Sequence, residues 1–378
     1  MKKIKYGMIG GGIGAFIGDA HRRAARLCND YELVGGVFDV DYKRSKEFAN
    51  EEEIDLRRCY ESVDLLITTE LALPVDQRME VVSIVTPNSL HYSFAKKLLS
   101  NGFNVICEKP MTLTVEEALD LENLVTKNQL IFALTHTYTG YPMVRQMQEL
   151  IANGSVGVIQ RIDAQYYQGW VNAIIHSTDN RIAKFWKLDP SQVGGSSCMG
   201  DIGVHAFNLI EYTTGLKVKE VLSDLSTIKE DIKLDLDGTV LLRFDNSLKG
   251  VIRSSQVCTG EENNLSLAVY GSKASLKWSQ ENPNYLSMLS VSEPIKVYKP
   301  SHTYNGELAE RSITMKAGHP EGYYEAMANI YKGVARSIRG EVIIPGEYPT
   351  VHDGVRGMKF IHSVTASNKK GNTWVKIN

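Results

Sequence analysis

The chain has 378 residues, 43% of them apolar, and a formal net charge of −2. This length exceeds one ordinary hydrophobic core and predicts two domains of a globular protein. Basic residues are spread without a run or a stripe, so the composition excludes an electrostatic footprint for nucleic acid or an anionic membrane and favours a small-molecule partner.

The cysteine and histidine spacings argue against disulfides and metal sites. The five cysteines are far apart and lack C-x-x-C spacing, a pattern typical of reduced thiols in the cytosol. The nine histidines show no H-x-x-x-H or H-E-x-x-H spacing, so no metal is expected. Lysines before residues 9–17 resemble the start of a signal peptide, but the glycines at residues 10–18 make a poor helix, and no stretch approaches the ~20 apolar residues of a membrane span. We therefore expect a cytoplasmic protein.

Short apolar strands alternate with helices through the first third of the chain. Continuous apolar runs of this kind are typical of a parallel sheet that is covered on both faces. The pattern predicts an α/β fold with an N-terminal dinucleotide-binding domain over residues 1–138. The expected strands are residues 4–9, 33–38, 81–85, 104–107 and 130–134.

A glycine-rich segment separates the first expected strand from the first expected helix. Its pattern Gly10-x-Gly12-x-x-Ala15 satisfies the dinucleotide fingerprint, in which alanine is allowed at the third position. Such a turn lets backbone N–H groups and a helix N-terminus approach a pyrophosphate. The residues expected to bind the cofactor here are Gly10, Gly12, Ile13, Gly14 and Ala15.

Asp39 closes the second expected strand. A carboxylate there accepts hydrogen bonds from ribose hydroxyls and repels a 2′-phosphate, which predicts NAD, with NADP the less favoured cofactor. An ordinary turn residue is the alternative for Asp39. The interval from the glycine turn is longer than usual, so we interpret Phe16-Ile17-Gly18 as an insertion between the turn and its helix.

Two further polar segments end buried strands of the same domain. Glu108-Lys109-Pro110 stops the apolar run 105–107, and a lysine at that edge can reach the nicotinamide end of the cofactor. Thr86-Pro87-Asn88 ends the strand 81–85 near the same edge, although a simple strand-ending turn explains it almost as well.

The pattern changes after residue 138. Pro142 opens a helix that Asn153-Gly154 closes, and we place the second domain over residues 139–378. Residues 239–244 and 248–254 flank a turn and predict an antiparallel meander. Two late helices are expected near 321–338 and 350–367.

Asp201 and His205 lie four residues apart on an expected helix, so their side chains can face one cavity. Hydride transfer from a secondary alcohol needs a base for the hydroxyl proton and a partner that keeps the base in the right tautomer. Lys109 could supply positive charge to the developing alkoxide. The alternative is that Asp201 caps the helix and His205 merely packs nearby.

Taken together, these motifs resemble the Gfo/Idh/MocA family, which includes glucose–fructose oxidoreductase, inositol dehydrogenase and related sugar dehydrogenases. The resemblance rests on the order and spacing of several segments that cover most of the chain. These are Thr86-Pro87-Asn88 with His91, Glu108-Lys109-Pro110, Trp186-Lys187-Leu188-Asp189-Pro190 and Gly200-Asp201-Ile202-Gly203-Val204-His205.

The resemblance implies a Rossmann domain followed by an α+β domain with a large, mostly antiparallel sheet. That sheet usually forms the oligomer interface, so a homodimer or homotetramer is expected. Lys109, Asp201 and His205 match the family's catalytic residues, and Glu108 matches the residue that positions the lysine and the cofactor. Thr86, Asn88 and His91 are expected to bind the cofactor.

Several residues are candidates for substrate binding. Lys187 stands where many members of the family have arginine, and Gly-Gly-Ser-Ser at 194–197 replaces a fuller glycine run. His319 resembles a residue of one sugar-dehydrogenase branch, with a loop histidine as the alternative. Tyr138 and Trp186 have rings that suit a sugar, whereas for Trp170 burial in the core is the preferred interpretation.

Three functions remain open at this stage. The first is an NAD-dependent oxidoreductase that interconverts a ring secondary alcohol and its ketone in a sugar, glycoside or cyclic polyol. The second is an NAD-dependent glycosidase that oxidises its substrate transiently and accumulates no NADH. The third is a nucleotide-binding sensor without chemistry, against which the intact Lys109, Asp201 and His205 argue.

Overall fold

The computed structural model describes residues 2–176 and 185–378 of the chain. The strands of this part are β1 Ile4–Gly10, β2 Tyr31–Val37, β3 Val81–Val85, β4 Asn104–Cys107, β5 Phe132–Leu134, β6 Ile159–Tyr167, β7 Glu220–Ser226, β8 Asp237–Arg243, β9 Lys249–Ser255, β10 Asn264–Gly271, β11 Ser275–Ser279, β12 Leu286–Leu289, β13 Lys296–Tyr298 and β14 Val375–Lys376. Its α-helices are α1 Phe16–Cys28, α2 Tyr42–Glu51, α3 Val63–Ala72, α4 His91–Ser100, α5 Val115–Asn128, α6 Pro142–Ala152, α7 Val171–Ile175, α8 Pro190–Val193, α9 Val204–Thr214, α10 Glu307–Glu310, α11 Tyr323–Ile338 and α12 Val351–Lys369.

Contacts between Cα atoms divide the chain into two compact units. The first comprises Met1–Gly140 and Tyr323–Val355, and the second comprises Tyr141–Gly322 and Arg356–Asn378. Helix α11 therefore packs in the first unit, whereas the expected boundary at residue 138 assigns it to the second domain. The reason is its apolar stripe, because Met327, Tyr331 and Val334 belong to the same buried cluster as β1. As a limit between functional domains, residue 138 stays a prediction.

The first unit contains a five-stranded parallel sheet of order β2-β1-β3-β4-β5. All five residues of β3 are buried, as expected for a strand covered on both faces. Because the strands are parallel, the segments after β1, β3 and β4 share the carboxyl edge of the sheet, where such folds bind ligands. The predicted Rossmann-type sheet is confirmed.

Helix α1 shows that the predicted insertion is wrong. Phe16-Ile17-Gly18 form its first turn instead of a loop before it. The reason lies in the packing of Gly18, because a Cβ atom at that position would come within 2.3 Å of the Cα of Gly11. The first turn of α1 therefore lies in close contact with the glycine turn.

The second unit contains a nine-stranded sheet of order β13-β12-β11-β10-β6-β9-β8-β7-β14. Strands β6 and β9 pair in parallel, and the other pairs are antiparallel. Burial alternates along β10, so one face of the sheet packs inward, and α9 packs against β6 and β10. The predicted sheet and the β8–β9 hairpin are both confirmed.

A short π-helical turn, Met199–Gly203, leads directly into α9. It carries Asp201, and α9 carries His205. Gly215 ends α9 in the left-handed conformation, with φ of 68°. Single π turns inside helices are frequent at functional sites because they alter the direction of the side chains they carry.

Candidate active site

The glycine turn after β1 is closed towards the protein and open on its other side. Gly10, Gly11 and Gly14 have positive φ angles of 81°, 76° and 79°, which glycine adopts without strain. The backbone N–H of Gly12 donates to the carbonyl oxygen of Phe38 at 3.1 Å. A Cβ atom on Gly12 would lie 2.8 Å from that oxygen, whereas a Cβ on Gly14 would meet no atom of the described residues within 4 Å.

Ala15 is the N-cap residue of α1, and its methyl side chain cannot accept hydrogen bonds from the first turn. A helix N-terminus of this kind favours a negatively charged ligand group. Arg22, which the sequence analysis missed, lies further along α1. It is buried, and its Nη1 donates to the carbonyl oxygen of Gly11 at 2.5 Å, so it braces the turn.

Asp39 follows β2 and is held as a carboxylate. Its Oδ1 accepts from the backbone N–H of Asp41 at 3.0 Å, and its Oδ2 accepts from Nε of Arg44 at 2.9 Å. The hydrogen bond from Asp41, and the bond and charge of Arg44, outweigh partial burial and lower the pKa of Asp39 below its usual value. An ionised acceptor at this position suits ribose hydroxyls.

The loops after β3 and β4 are tied together by His91. Its ring is buried, with Nδ1 2.8 Å from the carbonyl oxygen of Pro110 and Nε2 2.9 Å from that of Thr86. Burial lowers the pKa of His91 and outweighs the hydrogen bonds to the two carbonyls, which raise it. The neutral ring therefore donates to one carbonyl at a time. Its expected contact with the cofactor stays a prediction, as does that of Asn88, which begins a half-buried 3₁₀ turn.

Glu108 is buried and surrounded by donors. Its Oε1 accepts from Nε2 of His21 at 3.0 Å and from the hydroxyl of Thr135, and its Oε2 accepts from the backbone N–H of Lys109 at 3.2 Å. Burial raises the pKa of Glu108, but the hydrogen bond and charge of His21 and the charge of Lys109 outweigh it and lower the pKa overall. Lys109 is half-buried and precedes Pro110 through a cis peptide bond.

In the second unit, one oxygen of Asp201 receives two donors. Its Oδ2 accepts from Nζ of Lys187 at 2.9 Å and from Nε2 of Gln256 at 3.1 Å. His205 lies four residues later on α9 and is 7% exposed, with its ring centroid 6.2 Å from that of Tyr166. The structure thus brings the predicted Lys187 and Asp201 into direct contact.

Asp235, a second buried carboxylate, holds the loop that leads to Asp201. Its Oδ2 accepts from the hydroxyl of Ser196 and from the backbone N–H of Met199, both at 2.9 Å. Its Oδ1 accepts from the backbone N–H of Ser197 at 3.1 Å. The hydroxyl of Ser197 also donates to the carbonyl oxygen of Lys187 at 3.0 Å. The hydroxyl groups of Ser196 and Ser197 therefore help to fix this loop.

The aromatic candidates have different surroundings. Nζ of Lys187 lies 5.9 Å from the ring centroid of the exposed Trp186 and 5.5 Å from that of Trp170. Trp170 packs against Phe185 in a small apolar cluster, in agreement with the preferred interpretation. Tyr138 is 6% exposed and lies in the first unit.

His319 is exposed in the second unit, with Nδ1 3.3 Å from the carbonyl oxygen of Lys316. The substrate roles of Tyr138, Trp186, Lys187 and His319 stay predictions.

Comparisons with known proteins find a matching family model for each of two parts of the chain. The family model described as an oxidoreductase family with an NAD-binding Rossmann fold matches residues 4–136, and the GFO/IDH/MocA C-terminal domain matches residues 144–277. The uncharacterized oxidoreductase YfiI of Bacillus subtilis (strain 168) is 30% identical over 99% of this chain and 97% of its own length. The chain belongs to the Gfo/Idh/MocA family.

Solved structures of similar proteins extend over the whole chain. An oxidoreductase from Sinorhizobium meliloti is 37% identical and covers 100% of both chains with a TM-score of 0.89. An inositol dehydrogenase homolog from Azotobacter vinelandii, complexed with NADH and myo-inositol, is 30% identical, covers 99% of this chain and 98% of its own, and has a TM-score of 0.91. The predicted family, the oxidoreductase class and the NAD cofactor are confirmed.

The first unit of this Gfo/Idh/MocA protein fits a dinucleotide. The glycine turn leaves an open side at Gly14, and the carboxylate of Asp39 is ionised nearby along the sheet edge. The hydroxyl oxygen of Thr86 is buried and has no hydrogen-bond partner among the described residues. Thr86 also lies against the turn, because a Cβ on Gly10 would come within 3.0 Å of its methyl carbon.

Sequence reasoning missed several residues that hold the predicted ones. Glu108 is bonded to His21 and Thr135, and His21 is bonded to Tyr331. Asp201 is bonded to Gln256, and the loop before Asp201 is bonded to Asp235. Each of these residues is far in sequence from the motif that it supports, although His21 lies shortly after the glycine turn. The available signal was a polar residue within an apolar stretch, as at Asp235 between Leu234 and Leu236.

Residues 2–176 and 185–378, which the structure describes, contain neither a candidate metal cluster nor a candidate membrane span. No cluster of three or more histidine, cysteine, aspartate or glutamate residues that could hold a metal ion is present in them. Within the same residues, no helix is long and apolar enough to cross a membrane.

Proposed function

We propose that this NAD-dependent oxidoreductase interconverts a ring secondary alcohol and its ketone in a sugar, glycoside or cyclic polyol. The observation that carries the proposal is the arrangement of Asp201 and His205, in which a π turn and α9 present a firmly held carboxylate four residues before a largely buried imidazole. An acid–base pair of this kind serves proton transfer from a hydroxyl group.

Each catalytic residue has a defined task in the proposed reaction. NAD, when bound, accepts the hydride from the carbinol carbon. His205 takes the hydroxyl proton on its imidazole nitrogen during oxidation and returns it during reduction. Asp201 keeps the base in the right tautomer, and Lys109 stabilises the developing alkoxide.

The charges around Asp201 support a neutral substrate. Nζ of Lys187 lies 2.9 Å from Oδ2 of Asp201, so the positive charge of Lys187 is matched locally. A sugar acid or a sugar phosphate would need a further uncompensated cation beside this pair. The complex of the Azotobacter vinelandii homolog with myo-inositol supports the polyol class.

The test is absorbance at 340 nm while the purified protein with NAD is offered inositols, aldoses, sugar acids and glycosides. We expect NADH to accumulate in proportion to ketone with a neutral polyol or sugar. Release of aglycone from a glycoside without net NADH would instead support the glycosidase. Absence of any turnover, with NADH binding retained, would support the sensor.

We also propose a cytoplasmic homodimer or homotetramer that associates through the nine-stranded sheet. Supporting this, apolar side chains of its strands, including Leu241 and Val297, are exposed. Light scattering coupled to size exclusion measures the mass. A monomer of 42.1 kDa at micromolar concentration would contradict the proposal.

A further inference from the structure

A chain of buried polar side chains leads from β3 to Glu108 within the first unit. The hydroxyl of Ser83 lies 2.9 Å from that of Tyr331, which lies 2.7 Å from Nδ1 of His21. Nε2 of His21 lies 3.0 Å from Oε1 of Glu108. Ser83, Tyr331 and His21 are each 0% exposed, so water does not compete for these bonds.

The chemistry of Glu108 sets the direction of its bond to His21. An ionised carboxylate accepts hydrogen bonds and cannot donate, so Nε2 of His21 carries the proton that Glu108 receives. A neutral ring then accepts at Nδ1 from the hydroxyl of Tyr331, whereas a protonated ring donates to it. In either case the hydroxyl of Tyr331 lies between Nδ1 of His21 and the hydroxyl of Ser83.

The hydrogen-bonded series from Ser83 to Glu108 joins three segments that bear on the proposed reaction. His21 lies on α1, which follows the glycine turn, Glu108 follows β4, and Tyr331 lies on α11, which packs against α1. The other oxygen of Glu108 accepts from the backbone N–H of Lys109 at 3.2 Å. The orientation of the His21 ring therefore affects the position of the Lys109 backbone.

We propose that Tyr331 is a positioning residue for the reaction: through His21 it fixes the carboxylate of Glu108 and, with it, the backbone of Lys109. The inference rests on the role of Lys109 in the proposed function. Tyr331 acts by holding the imidazole in one orientation, because its hydroxyl group is the hydrogen-bond partner of Nδ1. Misplacement of a catalytic group by about 1 Å, even through a change far from the reacting atoms, can lower activity by a factor of about 10².

The test compares Tyr331→Phe with Tyr31→Phe. Both variants keep a buried ring and lose one hydroxyl group, and the two rings pack edge to face with centroids 5.2 Å apart. The hydroxyl of Tyr31 donates to the backbone carbonyl of Tyr331 at 2.8 Å, outside the chain that leads to Glu108. Tyr31→Phe is therefore the matched control for a lost buried hydrogen bond.

Two readouts are measured on each full-length variant. The first is kcat, KM for the polyol found by the substrate panel, and the Kd for NADH from fluorescence. The second is the ¹H–¹⁵N signal of the His21 Nε2–H group in the protein without ligand, assigned by its loss in His21→Gln.

For Tyr331→Phe we expect kcat to fall about tenfold while Kd for NADH stays the same, and the His21 Nε2–H signal to shift or to broaden by exchange. Tyr31→Phe should match the unsubstituted protein in both readouts. Ser83→Ala, which removes the hydrogen-bond partner of the Tyr331 hydroxyl, should change the signal in the same direction as Tyr331→Phe.

An unchanged kcat and signal in Tyr331→Phe would overturn the proposal, as would an equal loss in Tyr31→Phe. A proton on Nδ1 of His21 without one on Nε2 would also overturn it. If the protein turns over no compound of the substrate panel, the proposed function fails, and the His21 signal still decides whether Tyr331 holds the ring.

Discussion

His205 concentrates the chemistry of the proposed reaction at a single imidazole. It is buried near Tyr166, and the carboxylate four residues before it is fixed by Lys187 and Gln256. A base held in this way needs little reorganisation when the hydroxyl proton leaves.

His205→Asn should lower turnover by about 10²–10⁴ because acid–base catalysis is lost, while the Kd for NADH is unchanged. Steady-state kinetics and NADH fluorescence measure the two effects. His352→Asn is the matched control, since His352 is exposed and bonded to Glu122. Turnover in His205→Asn equal to that of the control would remove His205 from the mechanism.

His136 gives the stability a defined pH dependence. Burial, with a smaller effect of the charge of Lys109, lowers the pKa of His136 to about 3. Between pH ~6.5, the pKa of histidine in the unfolded chain, and about pH 3, the unfolded chain binds a proton at His136 that the folded chain does not. The stability that neutral His136 contributes is therefore fully present above pH ~6.5 and is lost as the pH falls towards 3. His136→Gln should reduce the slope of the unfolding free energy in that range by up to about 1.4 kcal/mol per pH unit.

Urea unfolding at several pH values measures that slope. Absolute stability can change in His136→Gln because a buried side chain is replaced, so the comparison concerns the slope alone. His352→Asn should keep the slope of the unsubstituted protein. Equal slopes in all three proteins would show that His136 does not remain neutral in the folded chain.

At the scale of elements, the loop before the π turn depends on Asp235. This carboxylate accepts three hydrogen bonds from residues 196–199 and lies just before β8. The loop in turn sets the position of Asp201 and of the start of α9. These three hydrogen bonds offset part of the conformational entropy that is lost when the buried loop becomes ordered.

Asp235→Asn should lower the unfolding free energy by about 1–3 kcal/mol, since an amide nitrogen replaces one acceptor and leaves buried donors unsatisfied. Hydrogen exchange should also accelerate at Ser197 and Met199, whose N–H groups bond to Asp235. The control is Asp237→Asn on β8. Unchanged exchange in Asp235→Asn would contradict the role given to this carboxylate.

Helix α1 and the glycine turn form a second coupled pair of elements. Gly18→Ala places a Cβ atom 2.3 Å from the Cα of Gly11, so backbone must move. We expect a loss of about 1–3 kcal/mol in stability and a higher Kd for NADH. In the control, Gly357→Ala, the new Cβ approaches the side chain of Val204 at 3.0 Å, which can adjust. Unaltered NADH binding in Gly18→Ala would show that this contact does not shape the turn.

Strands and motifs were predictable because their signals are local. The apolar runs at β1, β3 and β4 and the segment Glu108-Lys109-Pro110 can each be recognised within a few residues. The first turn of α1 was mistaken for an insertion because the reason for its length, the contact of Gly18 with Gly11, is a tertiary one.

At the scale of the whole molecule, the residues that support the site come from distant parts of the chain. Tyr331 is 310 positions from His21, and Gln256 is 55 from Asp201. No spacing rule links such pairs, because the fold alone makes them neighbours. For the same reason the return of α11 to the first unit was not expected from the sequence.

The family explains the division of labour between the two units. Residues 4–136 match the NAD-binding Rossmann model, and residues 144–277 match the C-terminal model. Of the residues proposed for catalysis, Lys109 lies in the first unit, and Asp201 and His205 lie in the second. Substrate specificity in general rests on a few contacts within a site, so the family defines the reaction class before it defines the sugar.

The most direct test of the central claim follows the hydride itself. The polyol identified by the panel is deuterated at the carbon that is oxidised, and the cofactor is analysed by NMR after turnover with NAD. We predict deuterium on C4 of the reduced nicotinamide, with one NADH formed per ketone. Deuterium that returns to the sugar or is lost to solvent, without reduced cofactor, would contradict net hydride transfer to NAD as the function of this protein.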